Sequence, residues 1–117
     1  MTPGRDPAAT RSLRNGLALS QLGVGCAPFG RPLAEGLDAQ CSEVVSDLYA
    51  AGLRYFDVAP LYGRGVAELR LGAALRQIDR SQVVLSTKVG RLLEPASATA
   101  PVEVRYDYSH DGALRSI

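Results

Sequence analysis

Apolar residues recur along this chain at two different periods, and the switching between them outlines its elements. Cys41, Val44, Val45 and Leu48 stand at i, i+3, i+4 and i+7, one apolar face of a helix over residues 38–51. Asp38 is placed to cap its start and Gly52 to stop it. Leu71, Ala74, Leu75 and Ile78 make a second stripe, on a helix over residues 65–77 with Glu68 in its first turn. A carboxylate there suits the positive end of the helix dipole. Three short apolar runs read as strands: residues 22–27, residues 53–59 closed by Pro60, and residues 83–89, the most β-like of the three. Near the start, Asn15-Gly16 sits between short apolar stretches. Both residues tolerate positive φ, which predicts a hairpin with a type I′ turn. Residues 94–101, rich in Ala, Ser, Thr and Pro, are expected to be an irregular loop. Asp107-Tyr108-Ser109 can open a further helix running to Ile117.

Strand, helix, strand, helix, strand, loop and helix start is the order of parallel βαβ units, an α/β fold. Two architectures fit: an open doubly wound sheet, or the first third of a (β/α)8 barrel. A whole barrel takes about 250 residues, so the barrel reading makes this chain less than half of one. Gly23, Gly25 and Gly30 are spaced GxGxxxxG rather than GxGxxG. The Rossmann fingerprint is therefore not matched, and these glycines are read as allowing close backbone approach at a strand end. Residues 1–12 are expected to be a flexible tail and 13–117 one domain, incomplete on the barrel reading.

Composition narrows the picture by exclusion. The 117 residues are 46% hydrophobic and 21% charged, with a net charge of +1. That balance supplies no electrostatic case for nucleic acid or an anionic membrane. The opening sixteen residues hold Pro, Gly, Thr and three arginines without a long apolar run, a poor secretory signal. No segment approaches the roughly 18 apolar residues of a membrane span. Cys26 and Cys41 have no metal-ligand spacing, so no metal site is expected, and two reduced thiols in a cytoplasmic protein are. Twelve of the thirteen basic residues are arginine; Lys88 is the only lysine.

In parallel α/β folds, ligands bind beyond the carboxyl ends of the strands. Asp57 is near the end of the second strand, Lys88 at the end of the third, and Tyr62 in the loop leaving the second. A phenol titrating near pH 10 is a weak base at neutral pH, and an adjacent ammonium favours the phenolate. The ammonium needs a counter-charge, which Asp57 can supply. Tyr62 would then give a proton to a carbonyl or take one from an alcohol, while hydride moves to or from a nicotinamide. Each residue also has a bland reading: a turn-capping Asp, a packing Tyr, a solvated Lys. The exclusive use of arginine elsewhere makes Lys88 less bland, because lysine is a compact charge with a tunable pKa.

The run Gly52-Leu53-Arg54-Tyr55-Phe56-Asp57-Val58-Ala59-Pro60-Leu61-Tyr62-Gly63, then Glu68 with Leu71-Gly72-Ala73-Ala74-Leu75, then Ser86-Thr87-Lys88-Val89-Gly90, resembles the aldo-keto reductases. Leu22-Gly23-Val24-Gly25 and the Asn-Gly hairpin are similar to that family's opening, so the resemblance covers residues 13–93. It implies a (β/α)8 barrel binding NAD(P)H without a Rossmann domain, and a small carbonyl or sugar substrate. It also implies catalytic roles for Asp57, Tyr62 and Lys88, with Gly25, Cys26 and Asp57 as cofactor contacts. Tyr106-Asp107-Tyr108-Ser109 resembles the branch of aldose, L-fucose and pyridoxal dehydrogenases. Val58 stands where the family usually has Thr. The family's fourth catalytic residue, a His after the fourth strand, has no counterpart, since the lone His110 reads as a surface residue. The expectation is an N-terminal fragment of an NAD(P)-dependent oxidoreductase, inactive alone. The alternative is a non-catalytic binding or regulatory module of the same family.

Overall fold

The computed structural model describes residues 6, 8–32, 36–95 and 101–117. The chain enters through a hairpin, β1 (Thr10–Ser12) against β2 (Ala18–Ser20), paired antiparallel with Thr10 opposite Ser20. Residues 10–12 were expected in the tail and are instead a strand; the ladder is extended by Gln21 N–H donating to the Ala9 carbonyl. The turn is not type I′. Only Gly16 has positive φ, at +84°. Leu13 N–H donates to the Leu17 carbonyl and Gly16 N–H to the Leu13 carbonyl, closing a loop of three residues. Such a loop needs the left-handed conformation at its last position only. Asn15 contributes its side chain, which accepts from Leu17 N–H at 3.1 Å.

Three parallel strands follow in sequential order: β3 (Val24–Gly25), β4 (Tyr55–Asp57) and β5 (Val84–Ser86). The crossover helices are α1 (Leu37–Ala50) and α2 (Val66–Leu75), which pack against each other. Sequential strand order with neighbouring crossover helices is that of a barrel segment; the sheet contains no order reversal of the doubly wound kind. Phe56 and Val45 are fully buried between sheet and helices, with Cys41, Leu71, Ala74, Leu75 and Val83 around them. Strand alternation sends Phe56 into this core, while Tyr55 and Asp57 are only partly buried.

The helix stripes were read correctly in α2 but are displaced in α1, where Cys41 and Val45 are buried and Val44 is exposed. Asp38 does not cap α1; Gly36, at φ +77°, precedes the helix. The Asp38 carboxylate instead accepts from Arg70 Nε at 2.6 Å. Arg70 is 5% exposed, and its Nη1 donates to the carbonyls of Phe29 (2.6 Å) and Arg31 (2.9 Å). One guanidinium thus ties the 3-10 turn after β3 (Ala27–Gly30) to α1 and α2.

After β5 comes a hairpin that the sequence reading missed: β6 (Arg91–Pro95) pairs antiparallel with β7 (Val102–Tyr106). Glu94 and Pro95 are thus in a strand rather than a loop, and residues 96–100 of the expected loop lie outside the described residues. Cross-strand Leu93–Val104 pairing and a Glu94–Arg105 ion pair at 3.4 Å outweigh the turn-like composition between them. The last helix, α3 (His110–Arg115), is capped by Ser109, whose Oγ accepts from Gly112 N–H at 3.0 Å. His110 is 84% exposed there. Among the described residues no helix is long and apolar enough to cross a membrane.

Removing the Arg70 guanidinium strands two carbonyls beside the core. Arg70→Met is expected to lower stability by about 2–4 kcal/mol, read as a fall in the urea unfolding midpoint.

Candidate active site

Parallel pairing puts Gly25 opposite Asp57 and Asp57 opposite Ser86, so these three residues form one row across the ends of β3, β4 and β5. Pairing continues past the row: Cys26 N–H donates to the Asp57 carbonyl and Val58 N–H to the Ser86 carbonyl. Lys88 is two residues beyond Ser86, just past the end of β5, and its ammonium turns back over the row. Nζ donates to Asp57 Oδ1 at 2.8 Å, to Oδ2 at 3.0 Å and to the Val58 carbonyl at 3.0 Å. The carboxylate also accepts from Ser86 Oγ at 2.5 Å, and Ser86 Oγ meets the Tyr55 hydroxyl at 3.0 Å.

The Tyr62 loop is placed by a backbone crossing. A Cβ on Gly30 would overlap the Tyr62 carbonyl carbon and the Gly63 amide, and a Cβ on Gly63 would overlap the Gly30 backbone. Gly63 also has φ +67°, which disfavours any side chain there. Tyr62 N–H donates to the Ala59 carbonyl and Tyr62 O accepts from Ala67 N–H, so the loop is stitched to both β4's exit and α2. Half-buried, Tyr62 packs on the core, and its hydroxyl makes no hydrogen bond among the described residues. It lies close enough to Lys88 for its charge to favour the ammonium. Asp57 and Lys88 are therefore joined directly, and Tyr62 makes no hydrogen bond to either.

Of the expected cofactor contacts, Gly25 is exposed, and no atom stands where its Cβ would be. Asp57 keeps 34% of its side chain exposed. Cys26 is different. It has no exposed surface, and its amide and carbonyl are spent on Asp57 and Phe29. Burial first, then the Asp57 and Cys41 charges, push its thiol up to about 11, so it is a protonated core residue beneath the row.

Sequence reasoning missed Ser86, Tyr55 and the Val58 carbonyl. The first two were within reach of strand alternation, since Ser86 precedes Lys88 by two and Tyr55 precedes Asp57 by two. It also missed Thr87 Oγ1 donating to Glu68 Oε1 at 2.8 Å, which pins the end of β5 to the first turn of α2.

The Lys88 hydrogen bond, then that of Ser86, hold the Asp57 carboxyl below its ordinary 3.8, against the opposing effect of burial. The hydrogen bond to Asp57 raises Lys88 above 10.5, also against burial. The depressed carboxyl stabilises the fold above pH 3.8, and that contribution is lost as pH falls through the folded value. The raised ammonium stabilises below pH 10.5 and is lost as pH rises through the folded value. Both side chains are a third or more exposed, so solvent keeps the pair to about 1 kcal/mol or less. The stability gap between wild type and Lys88→Met should be constant from about pH 5 to about pH 9 and close on further acidification, as urea titrations at each pH would read.

The family model described as "Aldo/keto reductase family" matches residues 21–117. D-threo-aldose 1-dehydrogenase of a Pseudomonas species is 42% identical over 96 residues, covering 82% of this chain and 28% of that protein. Pyridoxal 4-dehydrogenase of Microbacterium luteolum is 37% identical, covering 88% of this chain and 35% of that protein. A solved Pseudomonas aeruginosa protein described as an aldo-keto reductase superposes with a TM-score of 0.71 at 32% identity, over 96% of this chain and 42% of its own. The chain therefore spans between a quarter and a half of the length of these relatives. With its parallel β3–β4–β5 sheet and flanking helices forming the N-terminal portion of a (β/α)8 barrel, the chain belongs to the aldo/keto reductase family.

Proposed function

We propose that this chain carries the proton-transfer part of an NAD(P)-dependent oxidoreductase that oxidises an aldose or a similar alcohol. The observation that carries the reading is the Lys88–Asp57 pair at 2.8 Å, set at the carboxyl ends of two parallel strands with Tyr62 beside it. Tyr62 takes the proton from the substrate hydroxyl, or returns one to the carbonyl in the reverse direction. Lys88, held cationic by Asp57, supplies the positive charge for this transfer. Asp57 itself moves no proton; it anchors the ammonium. The nicotinamide cofactor, when bound, accepts or supplies the hydride. Gly25 and Asp57 present the surface suited to meet it, since a residue without Cβ at a strand end admits close approach. The two aligned dehydrogenases, named for an aldose and for pyridoxal, support the substrate class. Two buried free cysteines support a reducing, cytoplasmic setting.

The 117-residue chain alone is not expected to turn over. Its sheet ends in an unpaired β5 edge among the described residues, with Leu85 and Val89 partly bare. Activity is testable in a chimera in which residues 21–117 replace the matching stretch of the Pseudomonas D-threo-aldose 1-dehydrogenase. There Tyr62→Phe should lower kcat/KM about 10²–10⁴-fold with the fold unchanged, and Lys88→Met should do likewise. A Tyr62→Phe chimera with undiminished aldose oxidation defeats the assignment. Steady-state turnover by the pure 117-residue chain defeats the expectation that it is inactive alone.

A further inference from the structure

Asp57 accepts more bonds than a counter-ion for one lysine needs. Oδ1 takes Lys88 Nζ at 2.8 Å and Ser86 Oγ at 2.5 Å, while Oδ2 takes Nζ at 3.0 Å. The Ser86 distance is that of a charge-assisted O–H···O⁻ bond, among the stronger kinds in proteins. Since the single Ser86 proton goes to the carboxylate, the Tyr55 hydroxyl is the donor in the 3.0 Å contact with Ser86 Oγ. A Cβ on Gly23 would run into the Tyr55 ring, so the ring packs against the backbone just before β3. The result is a chain of donors, Tyr55 to Ser86 to Asp57, running across two strands and ending on the carboxylate that holds Lys88.

We propose that Ser86, backed by Tyr55, is a positioning residue that locks Asp57 in the orientation facing Lys88. The inference rests on the oxidoreductase reading for its purpose, though not for its test. Ser86 touches neither the substrate-side phenol nor the ammonium; it acts through Asp57 alone. Without it, Oδ1 loses one of its two donors and the carboxylate is free to turn about χ2, carrying the ammonium with it. Among the described residues, the charged and titratable groups around Asp57 are Lys88 just past β5, Tyr55 on its own strand, Tyr62 in the loop beyond, and the thiol of Cys26 past the end of β3.

The test uses the 117-residue chain, without substrate or cofactor. Aspartate labelled at Cγ reports the Asp57 carboxyl, assigned as the signal missing in Asp57→Asn. Lysine labelled at Cε and Nζ gives one resonance, because Lys88 is the only lysine. In wild type Asp57 should titrate below the ordinary aspartate range. Ser86→Ala should move it upward and broaden the Lys88 signal as the ammonium loses its fixed partner. Ser86→Thr keeps a hydroxyl and should restore both. Tyr55→Phe keeps the ring and should shift Asp57 the same way by less. An Asp57 midpoint unmoved in Ser86→Ala with native amide dispersion overturns the proposal, and so does failure of Ser86→Thr to rescue. Should Ser86→Ala not fold, an unmoved Asp57 in Tyr55→Phe overturns it equally. Such results would leave the oxidoreductase reading standing, whereas an active Tyr62→Phe chimera would remove that reading and leave the titration intact.

Discussion

Parallel pairing of β4 between β3 and β5 determines what can meet at the end of this sheet. Because the three strands run the same way in matched register, Gly25, Asp57 and Ser86 fall into one row, with Lys88 two residues further along. In an antiparallel arrangement the ends of neighbouring strands would point to opposite sides of the fold, and Asp57 and Lys88 could not share an edge. A slip of one residue would do comparable damage. It would exchange the two faces of β4, sending Asp57 into the core and Phe56 to the open side. The complete burial of Phe56 is thus what holds the carboxylate in place.

The strands are short, two or three residues each, so their own ladders supply few hydrogen bonds. Side chains and close backbone contacts complete the work. Arg70 draws the turn after β3 onto both helices, while the Gly30–Gly63 crossing draws the Tyr62 loop onto that same turn. The Thr87–Glu68 bond fixes the exit of β5 to α2. These three ties converge from different elements on the loops around Asp57. The buried guanidinium meets both conditions that make such a group tolerable: a carboxylate partner, and backbone carbonyls for part of its remaining donors. Its Nη2 has no partner among the described residues.

What was legible in the sequence follows the range of the interaction behind it. The apolar stripe of α2 and the alternation that buries Phe56 are local periodicities, and they were readable. Asp38 looked like a cap because a cap is a local event; its actual partner, Arg70, is 32 residues away. The β6–β7 hairpin was hidden by the Ala-, Ser- and Pro-rich stretch between its strands, although Leu93 and Val104 carried an alternation that could have revealed it. At the site, Asp57, Tyr62 and Lys88 stood out through motif and strand-end position. Ser86 and Tyr55 did not: alternation puts each on the face of the charge two residues later, but the register of the neighbouring strand is what brings them together. Cys26, expected as a cofactor contact from the resemblance, is fully buried just past the exposed strand end at Gly25.

The register also gives the chain's only lysine a set of acceptors suited to an ammonium. Lys88 Nζ offers three protons, and Asp57 and the Val58 carbonyl provide acceptors for them in different directions around a single point. A planar guanidinium could face the carboxylate squarely but could not also turn a donor onto a carbonyl off that plane without a longer reach. An ion pair so formed acts on a third group as a dipole rather than as a free charge. The effect of such a dipole depends on which end lies nearer, and it falls away faster with distance than that of an ammonium alone. Ser86 Oγ and Lys88 Nζ, two residues apart in the sequence, meet on the same carboxylate oxygen, Oδ1 of Asp57.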